Sequence, residues 1–138
     1  MIRQVTQADI PRIRSLMQSE EGFWKQETRG NALEIAIASA KDLALVWEED
    51  GTILGFICAH DLGVRGYLSN LIVSQPAREK GIGRQLVQRI EEELCKRGCS
   101  VFISDVWRSA VPFYRSLGWS EPNVTLLRKK LSPEPNES

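Results

Sequence analysis

Two long parts of the chain place apolar residues at helical spacing. After Thr6 and Asp9, a pair close to a capping box, one apolar face predicts a first helix. Its apolar positions are Ile10, Ile13, Leu16 and Met17. A longer helix is predicted from near Gly81 to Gly98, because its apolar residues share one face and its charged residues lie elsewhere. Those apolar residues are Ile82, Leu86, Val87, Ile90 and Leu94.

Apolar runs bounded by turn residues predict strands. Residues 43–47 and 53–59 flank an Asp50-Gly51 turn, which is the pattern of a β-hairpin. Another strand is predicted over residues 67–73, and Pro76 ends it because proline cannot donate to a ladder. The other predicted elements are a strand over 2–5, a helix capped by Asn31, a strand from 101, a helix over 109–117 and a strand over 124–131.

The predicted order of elements is β-α-α-β-β-β-α-β-α-β. A meander of strands that then alternates with helices predicts an α/β fold, with a mixed, mostly antiparallel sheet and helices on both faces. A chain of 138 residues fits one domain, which is predicted to span residues 1–131. Residues 132–138 are polar and rich in proline, and a disordered tail is predicted there.

Charge and cysteine content exclude several classes of protein. Eighteen basic residues balance eighteen acidic ones, which argues against a nucleic-acid-binding protein. His60 is the only histidine, so the three cysteines have no partner at a metal-site spacing, and no metal is expected. No apolar run is long enough for a membrane span, and the N-terminus lacks the apolar core of a signal peptide. A reduced, cytoplasmic protein is predicted.

The turn at residues 78–83 is the most informative stretch for function. Gly81 and Gly83 permit backbone angles and close approaches that side chains forbid. The helix that follows begins with amides that have no partner inside the helix, at the positive end of its dipole. Arg78, Lys80 and Arg84 add positive charge. Together these features predict an anion site suited to a pyrophosphate, although the glycines alone would also serve to shape a helix start.

Other phosphate-binding turns do not fit these residues. A P-loop needs a Gly-Lys-Ser or Gly-Lys-Thr ending, which the chain lacks. A Rossmann turn needs a third glycine where Leu86 stands. The arrangement Arg-x-x-Gly-x-Gly over residues 78–83 instead resembles the GNAT superfamily of N-acetyltransferases. A second stretch, Ala-x-x-Phe-Tyr-x-x-x-Gly-Trp over residues 110–119, is similar to another motif of that family. The resemblance extends to small bacterial members similar to ribosomal-protein alanine acetyltransferases.

The resemblance implies acetyl-CoA as the cofactor, a primary amine as the acceptor and a set of site residues. The fourth and fifth strands should splay apart around the cofactor. Backbone groups of Leu71, Ile72 and Val73, beside a bulge in the fourth strand, would contact the pantetheine arm and thioester. Tyr114 would give a proton to the leaving thiolate. The residues whose amides would hold the pyrophosphate are Arg78, Glu79, Lys80, Gly81, Ile82, Gly83 and Arg84.

The acceptor side departs from the family pattern. Family members often carry a glutamate on the fourth strand as a base, and here that strand has Ser69 and Asn70 instead. Either residue could bind a water that relays the proton; Glu20, Glu21, His60 and Asp61 are alternatives. Trp107 stands where many members have an asparagine, so it forms either a wall of the acceptor pocket or part of the core. Phe23 and Trp24 either line the acceptor site or close the core.

Two function classes remain open at this level. The first is a transferase that moves an acetyl group directly from acetyl-CoA to an amine of a peptide, protein or small molecule. The second is a catalytically silent acetyl-CoA-binding sensor or interaction domain, which the missing carboxylate favours and Tyr114 opposes. Unpaired edge strands at the ends of the sheet would also allow a homodimer.

Overall fold

The computed structural model describes residues 1–20 and 29–131. The chain forms two compact units, Met1–Ser104 and a second that begins at Asp105. The single domain predicted over residues 1–131 stays a prediction. The interpretations of Glu21, Phe23 and Trp24, and the tail predicted over 132–138, lie outside the described residues.

The helices and strands follow the predicted order for most of the chain. The first unit contains β1 (Ile2–Gln4), α1 (Ile10–Ser19), α2 (Ala32–Ala40), β2 (Ala44–Glu49), β3 (Thr52–Asp61), β4 (Arg65–Val73), α3 (Ile82–Lys96) and β5 (Val101–Ile103). Short 3-10 turns lie at Gln7–Asp9, Lys41–Leu43 and Gln75–Ala77. The second unit contains a 3-10 turn at Arg108–Ala110 and α4 (Val111–Ser116).

The five strands of the first unit form one mixed sheet in the order β1-β2-β3-β4-β5. All neighbours are antiparallel except β4 and β5, which run parallel. The predicted hairpin between β2 and β3 is confirmed. Asp50 and Gly51 at its tip both have positive φ, 50° and 79°, as a two-residue turn that follows the strand twist requires.

Helices cover both faces of this sheet, as predicted. Alternation along β3 turns Phe56 and Cys58 to the face of α1 and α2, where the Cys58 thiol lies 3.5 Å from the Ala36 carbonyl. Gly55 lies on the opposite face, and a Cβ added there would come within 3.0 Å of Ile82 in α3. The sheet is therefore the central layer of the first unit.

Two predictions of local structure are wrong. Residues 124–131 form no strand; Val124, Leu126 and Leu127 are all largely exposed. β-propensity alone does not make a strand, because a strand needs a ladder and a face to bury. Asn31 stands immediately before α2, at the N-cap position, but its side chain makes no capping hydrogen bond.

Asp9 anchors the start of α1 to the edge of the sheet. It is the one charged residue buried in the described part of the chain, at 1% exposure. Its carboxylate accepts hydrogen bonds from Arg3 at 2.7 and 2.8 Å, from Arg12 at 2.7 Å and from the Thr6 amide at 2.7 Å. The bonds from Arg3, followed by those from Thr6, hold the pKa of Asp9 well below its usual range against the opposing effect of burial.

Asp9→Asn should destabilise the protein by about 3 kcal/mol at pH 7, because it leaves Arg3 facing a neutral partner in a partly buried site. The native Asp9 pKa is lowered, so its contribution is fully present above the unfolded value of about 3.9 and is lost as pH falls through the folded value. Urea unfolding of both proteins from pH 7 to pH 3 measures this. The difference in the free energy of unfolding between wild type and Asp9→Asn should become smaller as pH falls toward 3. As a control, Glu34→Gln, which removes an exposed ion pair, should change the free energy of unfolding little. Equal stability of wild type and Asp9→Asn at pH 7 would contradict the assignment.

Candidate active site

Strand β4 has neighbours on both sides only over its first three residues. The ladder with β5 pairs Arg65, Gly66 and Tyr67 and then stops. The Leu68 carbonyl next accepts a hydrogen bond from the Ser104 hydroxyl at 2.9 Å. Beyond that point, β4 continues to Val73 with no β5 partner in the ladder, while β3 still pairs along its other side. The predicted splay of the fourth and fifth strands is thus present as an open edge.

Backbone alternation decides which groups of β4 point to the open edge. The Ser74 amide donates to the Leu54 carbonyl at 2.9 Å, so the backbone of Ser74 faces β3. Because successive residues point to opposite sides, Ile72 also faces β3, whereas Leu71 and Val73 face the open edge. Of the three residues predicted to offer backbone groups to a ligand, Leu71 and Val73 are therefore the two whose groups are directed outward.

The bulge expected in β4 lies at Ser69. Cys58 pairs with Asn70, and the next residue of β3, Ala59, pairs with Leu68. Ser69 is therefore an extra residue in β4 without a counterpart in β3. A bulge of this kind re-aims side chains, and Ser69 and Asn70 lie at the point where the edge of the sheet begins to open.

The helix α3 begins with unsatisfied amides, as the glycine pattern predicts. Gly81 caps it in the left-handed region, with φ of 80°, and the first helical bond runs from the Gln85 amide to the Gly81 carbonyl at 3.1 Å. The amides of Ile82, Gly83 and Arg84 thus precede the first helical bond and have no partner within α3. Glu79 also has positive φ, 71°, so two left-handed residues shape this turn.

The backbone amide of Arg78, expected among those that hold the pyrophosphate, already has a partner. This amide donates to the Gln75 carbonyl at 3.2 Å, so it is not available to an anion. The guanidinium of Arg78 is bonded to the Val73 carbonyl at 3.2 Å and to Glu20 at the end of α1. The side chains of Lys80 and Arg84 are exposed and make no ion pair within the described residues. They are the free cations of the turn in this part of the chain.

A hydrogen-bonded cluster joins β3 to the bulge. The His60 Nε2 atom lies 2.8 Å from the Ser69 hydroxyl, and its Nδ1 atom lies 3.3 Å from the Ser39 hydroxyl in α2. Ser69 is also 3.0 Å from the Asn70 side-chain oxygen. Burial lowers the pKa of His60, although a bond to the Ser39 backbone opposes the shift. The imidazole is therefore neutral at neutral pH and can accept a proton.

Two of the alternative bases have other partners. Asp61 accepts a hydrogen bond from the Gly63 amide at 2.9 Å, which lowers its pKa and matches the turn-forming role. Glu20 is paired with Arg78. Of the candidates within the described residues, His60, Ser69 and Asn70 are the ones that meet at the open edge.

Tyr114 lies in the second unit, on α4. Its ring makes edge-to-face contacts with Phe113 and Trp119, with both centroids 5.1 Å away. Burial raises the pKa of Tyr114 to about 12, so its hydroxyl stays protonated at neutral pH. Trp107 is 57% exposed, which argues against a core role for it.

The family model for the acetyltransferase (GNAT) family matches residues 10–119. The chain belongs to the GNAT acetyltransferase family. It is therefore an acetyl-CoA-dependent N-acetyltransferase that acts on an amine. No helix among the described residues is long and apolar enough to cross a membrane.

Known proteins agree with this membership. Over 125 residues, the chain is 26% identical to the peptidyl-lysine N-acetyltransferase YiaC of Escherichia coli K12, covering 86% of this chain and 82% of the relative. Its fold matches a putative acetyltransferase structure from Agrobacterium tumefaciens with a TM-score of 0.76 at 18% identity, over 94% and 99% of the two chains. It also matches an aminoglycoside N-acetyltransferase, AAC(6')-Iy, solved with CoA, with a TM-score of 0.70 at 20% identity, over 94% and 99% of the chains.

Sequence reasoning missed the contacts that cross the fold. Nothing local pairs Ser39 with His60, or Glu20 with Arg78, because those residues come together only when α1 and α2 pack on the sheet. The left-handed Glu79 was missed as well, since a glutamate gives no sign of positive φ.

Proposed function

We propose that this protein transfers an acetyl group from acetyl-CoA directly to a primary amine, with the cofactor held along the open edge of β4 and at the start of α3. The open edge carries this proposal, because the outward backbone groups of Leu71 and the outward amide of Val73 have no partner in the β5 ladder. The pantetheine arm of coenzyme A carries amides that can complete such an edge as an added strand does. A thioester oriented in this way is what a direct transfer needs.

The start of α3 suits the pyrophosphate of the same cofactor. The amides of Ile82, Gly83 and Arg84 precede the first helical bond, and the helix dipole favours an anion there. Gly81, Glu79 and Lys80 complete the turn, and the exposed cations of Lys80 and Arg84 add attraction. The Ser74 hydroxyl oxygen, between the open edge and this turn, is buried without a hydrogen-bond partner among the described residues. An orphaned polar atom of this kind is consistent with an absent ligand.

Arg78 has a different part in the proposal from the one that its amide was expected to play. Its guanidinium bonds the Val73 carbonyl and Glu20, so it ties the end of β4 to the end of α1. It thereby positions the strand edge rather than supplying an amide to the pyrophosphate. Ile72 likewise supports the edge from the β3 side.

Tyr114 is proposed as the proton donor to the leaving sulfur. When bound, acetyl-CoA supplies an activated acetyl thioester, and the departing thiolate needs a proton. The Tyr114 hydroxyl keeps its proton well above neutral pH because burial raises its pKa to about 12. The motif over residues 110–119 is the second support for this role.

The lysine ε-amine of a peptide or protein is the acceptor that we propose first. The E. coli relative that covers 86% of this chain is a peptidyl-lysine N-acetyltransferase. We also propose a cytoplasmic location, which suits three free cysteines, and a homodimer formed through a sheet edge. The zero net charge gives no reason to add nucleic acid to its partners.

An acetyl-transfer screen tests the proposed activity and acceptor. Peptides with one lysine and blocked termini, peptides with a free N-terminus, polyamines and aminoglycosides are each incubated with acetyl-CoA and the protein. Mass spectrometry should detect acetylated product, with the lysine peptides modified fastest. Tight binding of acetyl-CoA without product on any amine would contradict the transferase proposal and favour a catalytically silent acetyl-CoA sensor.

Gly83→Val tests the cofactor site. Gly83 lies in the first turn of α3 and has negative φ, so valine fits the backbone but blocks a close approach to its amide. Affinity for acetyl-CoA by calorimetry should fall at least about tenfold, as expected for one lost charge-assisted hydrogen bond. Gln88→Val puts the same side chain on an exposed position of α3 and should bind normally. If the two variants bound acetyl-CoA with equal affinity, the pyrophosphate would not bind at the start of α3.

Tyr114→Phe tests the proton donor. It removes the hydroxyl and keeps the ring contacts with Phe113 and Trp119. We expect kcat to fall about 100-fold, the usual contribution of a positioned acid, while the Kd of acetyl-CoA stays unchanged. Steady-state kinetics and calorimetry measure the two quantities. A normal kcat would remove Tyr114 from the mechanism.

A further inference from the structure

The bulge cluster, formed by Ser39, Cys58, His60, Ser69 and Asn70, stands where β4 begins to lose its β5 partner. We infer that Ser69 and His60 together take the proton that the acceptor amine must lose, Ser69 meeting the amine and His60 acting through it. The inference rests on the proposed function, since it needs an amine next to the open edge. Ser69 and His60 together would then perform the role of the glutamate that family members often carry on the fourth strand.

The relay needs the basic nitrogen of His60 to face Ser69. Its Nδ1 atom lies 3.3 Å from the Ser39 hydroxyl. That hydroxyl can accept a hydrogen bond, and the relay requires the tautomer in which the ring proton is on Nδ1. The Nε2 lone pair is then directed at the Ser69 hydroxyl, 2.8 Å away. His60 therefore has its basic atom turned toward the bulge.

The Ser69 hydroxyl can receive a proton on its oxygen and donate its own proton to a neighbouring acceptor. It has one hydrogen and three acceptors within reach: His60 Nε2 at 2.8 Å, the Asn70 amide oxygen at 3.0 Å and the Cys58 carbonyl at 3.1 Å. Its oxygen keeps lone pairs that can receive a proton from outside the cluster. Ser69 and His60 are both only partly buried, so an amine at the open edge can reach the hydroxyl.

The surroundings of His60 keep the imidazole neutral before the reaction. The groups against it are the Ser39 and Ser69 hydroxyls, the Tyr67 ring with its centroid 6.3 Å away, and the Cys58 thiol 3.9 Å away. Burial raises the pKa of that thiol to about 11, so it is uncharged at neutral pH. No charged side chain of the described residues contributes to the lowered pKa of His60. Asp61, the next residue along the chain, is bonded to the Gly63 amide, and Lys41 follows the end of α2, which carries Ser39.

The proton transfer balances without any further reactant. An ε-amine has a pKa of about 10.4 and arrives as an ammonium ion. One N–H bond of the ammonium breaks, and its electron pair stays on nitrogen as the nucleophilic lone pair. The Ser69 oxygen gains that proton and passes its own to Nε2, so His60 becomes an imidazolium ion. The imidazolium later releases the proton to solvent.

The test compares wild type with His60→Gln and Ser69→Ala, using acetyl-CoA and a blocked single-lysine peptide or, failing that, the best acceptor of the panel. We expect wild-type kcat to fall on the acid side with a pKa below 6.5, the ordinary value for histidine. His60→Gln should lower kcat about 100-fold at pH 7, leave the KM for acetyl-CoA unchanged and abolish that acid limb. Ser69→Ala should do the same, and the double variant should be no worse than either.

Controls separate this role from a structural one. Asp61→Asn changes the neighbouring side chain without touching the cluster, and its activity should be normal. A purely structural role would lower the thermal midpoint and alter KM, while the remaining activity kept the wild-type pH profile. If His60→Gln does not fold, the kcat and the pH profile of Ser69→Ala alone test the inference.

Three results would overturn the inference. A normal kcat and acid limb in a folded His60→Gln and in Ser69→Ala would remove the relay and leave the transferase standing. Loss of the acid limb in Glu20→Gln, but not in His60→Gln, would make Glu20 the base. A wild-type protein that acetylates no acceptor would end the proposed function and this inference together.

Discussion

Strand β4 is bonded on both sides only as far as Tyr67, and the arrangement of the candidate site depends on this interruption. In a continuous sheet the backbone groups of Leu71 and Val73 would be used by the next strand. Here the β5 ladder ends at Tyr67 and does not use these groups, although the Val73 carbonyl accepts a hydrogen bond from Arg78, and β3 holds β4 in place from the other side. A rigid strand with one free edge is a template for an extended ligand that carries amides. The acetyl-transfer activity of the family uses such a ligand.

The bulge at Ser69 and the turn at the start of α3 stand at the two ends of that free edge. At one end, the extra residue turns polar side chains toward the face of α1 and α2, where His60 and Ser39 meet them. At the other end, Gly81 lets the chain turn sharply into a helix whose first amides are unpaired. The edge thus connects a place suited to proton transfer with a place suited to an anion. The two ends need different chemistry, and the sequence supplies hydroxyl and imidazole groups at one and amides and cations at the other.

The sequence predicted those features that depend on neighbouring residues. The apolar face of α3, the Asp50-Gly51 hairpin and the glycine turn all follow from local spacing, and the structure confirms each of them. The sequence alone could not predict features that depend on how helices and strands pack together. Ser69 and His60 were only two of several candidate bases, because no local pattern shows that β3 and α2 bring Ser39 and His60 together. The strand predicted over residues 124–131 failed for a related reason, since an apolar run becomes a strand only when a ladder receives it.

Amide hydrogen exchange with and without coenzyme A tests the central claim most directly, because it reports on the open edge residue by residue. The account predicts that coenzyme A protects the amides of Leu71 or Val73, on the open edge, together with those of Gly83 and Arg84. The amide of Ile72, which faces β3, should exchange at the same rate with or without the ligand. Protection confined to other residues, with these amides unchanged, would contradict the account.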